Sequence, residues 1–286
     1  MKIKYFLYIL AIIIFFISYQ SLIVFNKEIF NALIFGFTPS LFPALLLINI
    51  FIDFKGLDIL YMFLNKNKIS KKLYLLILII FSFILGMPSM MLIAKDQYDK
   101  KIITADGYYN LIYSLGCVSF PFLSGILILN KLSNHKLLII ILIYLFINIF
   151  SLFIHGIKIN TINIPNQQIN TYKTLNKSCL KSIKNIALIT SNVIIFSIPL
   201  FFIQKILDSA SLYISSFIEF SYPLYKLINN PTNYNLCFIL FVVLCPSLSI
   251  AFQCLMLNSD FKILDYYKRR IIIAIFSIFI AYIFLL

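Results

Sequence analysis

The sequence predicts an all-α fold, a polytopic helical membrane protein with an inverted repeat and two broken or re-entrant helical hairpins. Three observations carry this expectation. The chain of 286 residues is 62% hydrophobic and 12% charged, with a mean hydropathy of +0.98, which is too apolar for a soluble domain of that length. Tyr5 to Phe25, Leu137 to Ile154 and Ile271 to Leu286 are free of charge and about 16 to 21 residues long, close to a bilayer core of ~30 Å at ~1.5 Å per residue. Two apolar stretches are also broken alike, at Leu85-Gly86-Met87-Pro88-Ser89 and at Leu244-Cys245-Pro246-Ser247-Leu248-Ser249. Proline removes a backbone N–H, so a broken helix is tolerated in lipid only where protein or a water-filled cavity satisfies the freed groups. Paired breaks in two halves of a chain therefore point to a solute site.

The first expected element, Tyr5 to Phe25, follows Lys2 and Lys4 and is read as a retained helix within an N-terminal unit, 1–28. It is longer than the apolar core of a signal peptide, and no small-residue cleavage site follows. A short link, Asn26-Lys27-Glu28, leads to Ile29 to Ile52, where Pro39 and Pro43 should kink the helix. Asp53 to Lys72 carries five lysines and two aspartates; within it Leu57, Leu60, Tyr61, Phe63 and Leu64 suit an interfacial amphipathic helix. The broken segment Leu73 to Ala94 follows. Thr104 and Asp106 are placed to cap a helix from about Gly107, itself interrupted at Gly116 to Pro121. A long apolar run then ends near His155, closing a first repeat over 29–155.

Gly156 to Lys181, rich in Asn, Thr and Lys, reads as a polar linker between halves. The second half, 182–286, repeats the logic: a helix over Ile183 to Ile203 with Pro199, a partly polar stretch with Glu219, the broken segment Leu236 to Leu257, and a last helix. Pro43 to Pro88 is 45 residues and Pro199 to Pro246 is 47, the spacing of a divergent duplication. Basic residues conflict over orientation: re-entrant broken segments place the linker Gly156 to Lys181 inside but Lys262, Lys268, Arg269 and Arg270 outside, spanning segments reverse this, and either way the halves have opposite topologies. The re-entrant form is preferred, because the apolar limbs beside Pro88 are too short to cross separately.

A net charge of +14 would suggest nucleic acid in a soluble protein. In a membrane chain it places lysines at helix ends beside anionic headgroups, and no nucleic-acid partner is expected. The five cysteines form no CxxC pair and have no histidine nearby, which implies neither a zinc site nor a disulfide framework. His135 and His155 sit at helix ends as headgroup-level residues. No nucleophile set, metal cluster or phosphate-binding glycine loop is legible, so neither an enzyme nor a cofactor is expected.

Pro39-Ser40-Leu41-Phe42-Pro43, Gly86-Met87-Pro88 followed by Tyr98-Asp99-Lys100 and Ile103-Thr104, Ser119-Phe120-Pro121-Phe122, Glu219, and Ser247-Leu248-Ser249 with Gln253 form an ordered set. In that order the chain resembles, over about residues 30 to 280, sporulation integral membrane proteins of the YlbJ type, among the Gate or nucleoside-recognition domain proteins. The resemblance implies a fold similar to concentrative nucleoside transporters. It also implies a part in spore formation, moving dipicolinic acid across the outer forespore membrane, with other sporulation membrane proteins as candidate partners. The chain departs from the family pattern where Leu92 replaces a lysine and Val118 an asparagine, and where Cys245 and Pro246 replace glycines.

The candidate solute-binding residues are Ser40, Gly86, Pro88, Ser89, Ser119, Pro121, Glu219, Ser247, Ser249 and Gln253. Half-helix N-termini offer unpaired N–H groups and a positive dipole end to a small anion. Pro88 and Pro246 fit the first turn of such half-helices, where the missing N–H costs nothing. The serines and Gln253 add donors, although such residues also bond within or between helices. Glu219, in apolar surroundings, suits a proton carrier, a half-helix cap or a water-facing interfacial carboxylate. The expected function is a carrier for a small anion, dipicolinate first, in a bacterial cell membrane or outer forespore membrane. The alternatives are a nucleoside-like solute and a non-transporting scaffold.

Overall fold

The computed structural model describes residues 2–66, 71–129, 133–160, 171–207 and 211–285. Among these, the regular structure is helical: α1 Lys2–Asn31, a π-helical segment Ala32–Phe37, α2 Thr38–Asp53, α3 Gly56–Lys66, α4 Lys71–Leu85, α5 Ser89–Asp99, α6 Ala105–Leu115, α7 Phe120–Leu129, α8 Asn134–His155, α9 Thr171–Leu207, α10 Ser211–Ile218, α11 Ser221–Ile228, α12 Asn233–Leu244, α13 Leu248–Leu257 and α14 Ile263–Leu285. One antiparallel bridge joins Ile103 to Ile159. Among the described residues, three stretches are long and apolar enough to cross a membrane: His135–His155, Thr171–Leu207 and Asn233–Leu257. In the expected first span, the side chains of residues 6–12, 14 and 15 lie outside the described residues.

The expected link at Asn26-Lys27-Glu28 is helical instead, for tertiary reasons. Asn26 accepts from the Ser197 hydroxyl at 2.5 Å, and Glu28 accepts from the Tyr222 hydroxyl at 2.9 Å and lies 3.7 Å from Lys226. The irregularity falls later, where Pro39 and Pro43 cannot donate to the preceding turn. The helix widens there into its π segment, and the Thr38 backbone N–H and hydroxyl both donate to the Leu33 carbonyl. In α3, Leu57, Tyr61 and Leu64 are buried against the protein rather than turned to a membrane interface, and Phe63 is 59% exposed, on the opposite face.

The expected linker is also partly helix, since α9 starts at Thr171; residues 161–170 of that linker lie outside the described residues. Ser178 and Ser182, fully buried, explain it. The Asn49 amide donates to Ser182 at 2.8 Å and Ser178 donates to Asp53 at 2.9 Å, so polar interhelical bonds fasten α9 along α2. At the other side α6, α8, α12 and α14 pack into an apolar core that includes Leu115, Ile140, Leu240, Leu244 and Ala274, all essentially inaccessible. The outer faces of α8 and α14 are apolar and exposed, with Leu142, Phe146 and Phe153 on one and Ile272, Phe279 and Ile283 on the other.

Candidate functional site

Four helix breaks converge: residues 86–88 between α4 and α5, 116–119 between α6 and α7, 219–220 between α10 and α11, and 245–247 between α12 and α13. At the first, Gly86 has φ +59°, and a Cβ there would lie 2.3 Å from the Ser119 nitrogen. Only glycine lets the first break press against the second, and Met87 N–H then donates to the Cys117 carbonyl at 2.9 Å. The second break is tied to the fourth, where Val118 N–H donates to the Val243 carbonyl at 3.4 Å. Hydroxyls of Tyr266 and Tyr144 donate to the Gly116 and Val118 carbonyls, each at 2.6 Å.

Arg270 joins the same two breaks. It is 0% exposed and donates to the Leu244 carbonyl (2.5 Å), the Ser114 carbonyl (2.7 Å) and the Asn148 side chain (2.9 Å). Leu244 ends α12 and Ser114 lies in the last turn of α6, where the carbonyls lack intrahelical donors and carry the negative dipole end. A buried guanidinium thus finds its counter-charge in two helix C-termini. Sequence reasoning missed this residue, because nothing in the run Lys268-Arg269-Arg270 distinguishes an inward-turned arginine from its neighbours.

A cleft of about 600 Å³, its open mouth included, lies among the breaks. The first contributes Met87 and Ser89, the second Val118 and Ser119 with Phe122, the third Glu219, Phe220 and Ser221, and the half-helix after the fourth Ser249, Ile250 and Gln253. Leu41 and Leu45 of α2 and Ile189 and Val193 of α9 close the sides. Five expected residues, Ser89, Ser119, Glu219, Ser249 and Gln253, therefore share one cavity. Gly86 shapes its wall, and Pro88 faces a small adjoining space with Ser89 and Gln253. Pro121 in the first turn of α7 and the buried Ser247 do not line the cleft, and the side chain of Ser40 lies outside the described residues. Pro88 is the residue before α5 and Pro246 stands two before α13, so neither occupies the first turn as expected.

Local geometry separates the serines. Ser119 caps α7 by accepting from Phe122 N–H at 3.3 Å, whereas Ser89, Ser249 and Gln253 have no protein hydrogen-bond partner among the described residues. Their donors remain for a ligand or water. Glu219 is 0% exposed, which overturns a water-facing carboxylate. It is a half-helix cap: Oε1 accepts from the Ser221 N–H (3.0 Å) and hydroxyl (2.7 Å), and Oε2 accepts from Tyr222 N–H (3.4 Å). It is the sole acid or base among the described lining residues. Phe220 and Phe122, rings 5.1 Å apart, give the cleft an aromatic wall.

A second cleft of about 730 Å³ meets the first at Leu85 and Ser89 and is polar, lined by Asn49, Asp53, Lys55, Asp96, Lys100, Lys177, Lys181 and Asn185. Lys100 bridges Asp58 and Asp96 at 2.8 Å each, and Lys181 lies 3.5 Å from Asp53. Burial opposes the charge on Lys100, but its two carboxylates outweigh it and hold its pKa above the ordinary lysine value. Lys55 and Lys177 have no acid within salt-bridge distance among the described residues. No cluster of three His, Cys, Asp or Glu suited to a metal occurs among those residues, and the five cysteines are free. No protein-family model, curated protein or solved structure matches this chain.

Proposed function

We propose that this protein is a multi-pass membrane carrier for a small carboxylate-bearing solute, with its binding site in the cleft between the four breaks. The observation that carries the reading is the convergence itself. Broken helices expose backbone N–H and C=O groups that lipid cannot satisfy, and grouping four breaks round a cleft bearing unpartnered Ser89, Ser249 and Gln253 is the arrangement a solute site requires. The exposed apolar faces of α8 and α14 suit lipid. Lys55 and Lys177 of the adjoining polar cleft suit the entry of an anion.

Element order supports an inverted repeat: α2 with Pro43, α4/α5, α6/α7 and α8 are followed by α9 with Pro199, α10/α11, α12/α13 and α14. In this register the Pro88 break corresponds to that at Glu219, and the Pro121 break to that at Pro246, which replaces the pairing of Pro88 with Pro246 expected from the 45- and 47-residue spacings. The corresponding pairs α2 and α9 pack together, as do α8 and α14. Resemblance to the YlbJ-type proteins supplies the more specific expectation, dipicolinate movement during sporulation. One observation favours a second solute class: no basic side chain lines the central cleft among the described residues, which suits an uncharged, nucleoside-like ring against Phe122 and Phe220.

Uptake of labelled dipicolinate into proteoliposomes, with a labelled nucleoside alongside, tests both. Saturable dipicolinate uptake that falls on replacing Ser89 and Ser249 by Ala supports the carboxylate carrier. Uptake of the nucleoside alone moves the solute class, and no uptake of either by folded protein favours the scaffold.

A further inference from the structure

We propose that the groove between α8 and α14, on the outer surface of the chain, is a binding site for an anionic phospholipid. The groove measures about 900 Å³ including its open side and is lined by Ile147, Phe150, Ser151, Ile154 and His155 of α8 and by Arg269, Ile272, Ile273 and Phe276 of α14. On each helix these positions recur at three- and four-residue intervals, so two apolar stripes face one another. From Arg269 to Phe276 the groove runs about 10 Å along the helix axis, enough for the upper part of an acyl chain.

Charge at one end selects the headgroup. Arg269 and His155 stand together where α8 ends and α14 has begun. One Arg269 nitrogen, Nη1, donates to the Asn110 side chain at 3.1 Å and reaches Ser114 at 3.5 Å, while the rest of the guanidinium has no protein acceptor among the described residues. No acid lies within salt-bridge distance of it there. The guanidinium stacks 5.5 Å from the Tyr113 ring centre, which holds it at the groove mouth. His155 Nδ1 is engaged with the Ser151 carbonyl at 2.8 Å, leaving Nε2 available. On the groove floor the Ser151 hydroxyl, in a residue 4% exposed, has no hydrogen-bond partner among the described residues. An unneutralised guanidinium and an open imidazole nitrogen at the mouth of an apolar trough, with an orphan hydroxyl on its floor one turn below His155, match a phosphate and ester group above an acyl chain.

The site rests on the membrane reading, and the experiment separates the two. Protein reconstituted in vesicles of equal parts phosphatidylglycerol and phosphatidylcholine is extracted in mild detergent, and retained lipid is counted by native mass spectrometry. Wild type is expected to keep phosphatidylglycerol about five-fold in preference, the factor equivalent to ~1 kcal/mol per basic residue at an anionic surface. Arg269→Gln should abolish the preference and Arg269→Lys restore it, while Lys184→Gln on α9 leaves it unchanged. Ile272→Trp, which fills the groove and keeps the charge, should lose retained lipid of both kinds. Equal retention of the two lipids by wild type, or undiminished retention by Ile272→Trp, overturns the proposal even if Arg269→Gln fails to fold. Release of the protein from vesicles by alkaline carbonate would instead overturn the membrane reading.

Discussion

Replacing Arg270 by Met tests whether one buried cation holds the broken helices in place. The substitution approximately preserves length and apolar contact but removes donors from the Leu244 carbonyl, the Ser114 carbonyl and Asn148 Oδ1, all within 2.9 Å of the guanidinium. Bonds to a charged donor contribute about 1.5 to 3 kcal/mol each, a gross loss of roughly 4 to 9 kcal/mol. Three buried neutral acceptors are left without a donor at about 1 to 3 kcal/mol each, and relief of guanidinium desolvation offsets part of this, leaving roughly 3 to 5 kcal/mol net. At about 2 to 4 °C per kcal/mol, the apparent Tm should fall by roughly 6 to 20 °C. Four buried cysteines, Cys117, Cys237, Cys245 and Cys254, allow a thiol-reactive dye to follow thermal unfolding in detergent. Asn148→Ala removes one acceptor and should lower Tm by a few degrees only. An Arg270→Met protein that unfolds within about 2 °C of wild type would refute the reasoning.

Gly86→Ala should destabilise by more than about 2 kcal/mol and reduce solute uptake, because a Cβ at φ +59° is strained and meets the Ser119 backbone; wild-type unfolding in the same dye assay would contradict this. Glu219→Gln keeps an acceptor for α11 but loses the charge, so about 1 kcal/mol of capping and much of the uptake should go; unchanged uptake would remove the carboxylate from the mechanism. The double change Lys55→Gln and Lys177→Gln should slow dipicolinate uptake most at low ionic strength and leave nucleoside uptake unaltered, since screening weakens exposed charges. Lys100 has a folded-state pKa above its unfolded value, so its stabilisation is complete below the ordinary lysine pKa and is lost as pH rises through the raised one. The Tm difference between wild type and Lys100→Met should accordingly persist from pH 6 to 9 and shrink above about pH 10.5; a difference that stays undiminished above pH 10.5 would count against the ion pairs.

Much of the candidate site was legible because its signals are local. Proline and glycine inside charge-free runs mark breaks wherever they are read, and Thr104 caps α6 as expected by accepting from Gly107 N–H at 3.1 Å. Other features were opaque because their causes lie far along the chain. Asn26 to Glu28 looks like a polar link until Ser197 and Tyr222 supply its partners. Thr171 to Lys181 looks like a linker until Ser178 and Ser182 meet α2. The break at Glu219 carries no internal glycine or proline, with Pro223 inside α11, and nothing in its spacing shows that Ser221 shares its cap.

By itself, the sequence determined a helical, membrane-capable chain and the positions of three breaks. Both follow from short-range physics, the apolar length needed to cross a bilayer and the hydrogen bonds that proline and glycine disturb. Only the tertiary structure decided that four breaks meet at one cleft, that Ser89, Ser249 and Gln253 face it without hydrogen-bond partners among the described residues while Ser247 does not line it, and that Arg270 turns inward to two helix ends. Those outcomes depend on which helices pack together, and packing joins residues more than a hundred positions apart, such as Arg270 and Ser114. Helical periodicity says which side of a helix is apolar, but not which neighbour will cover it.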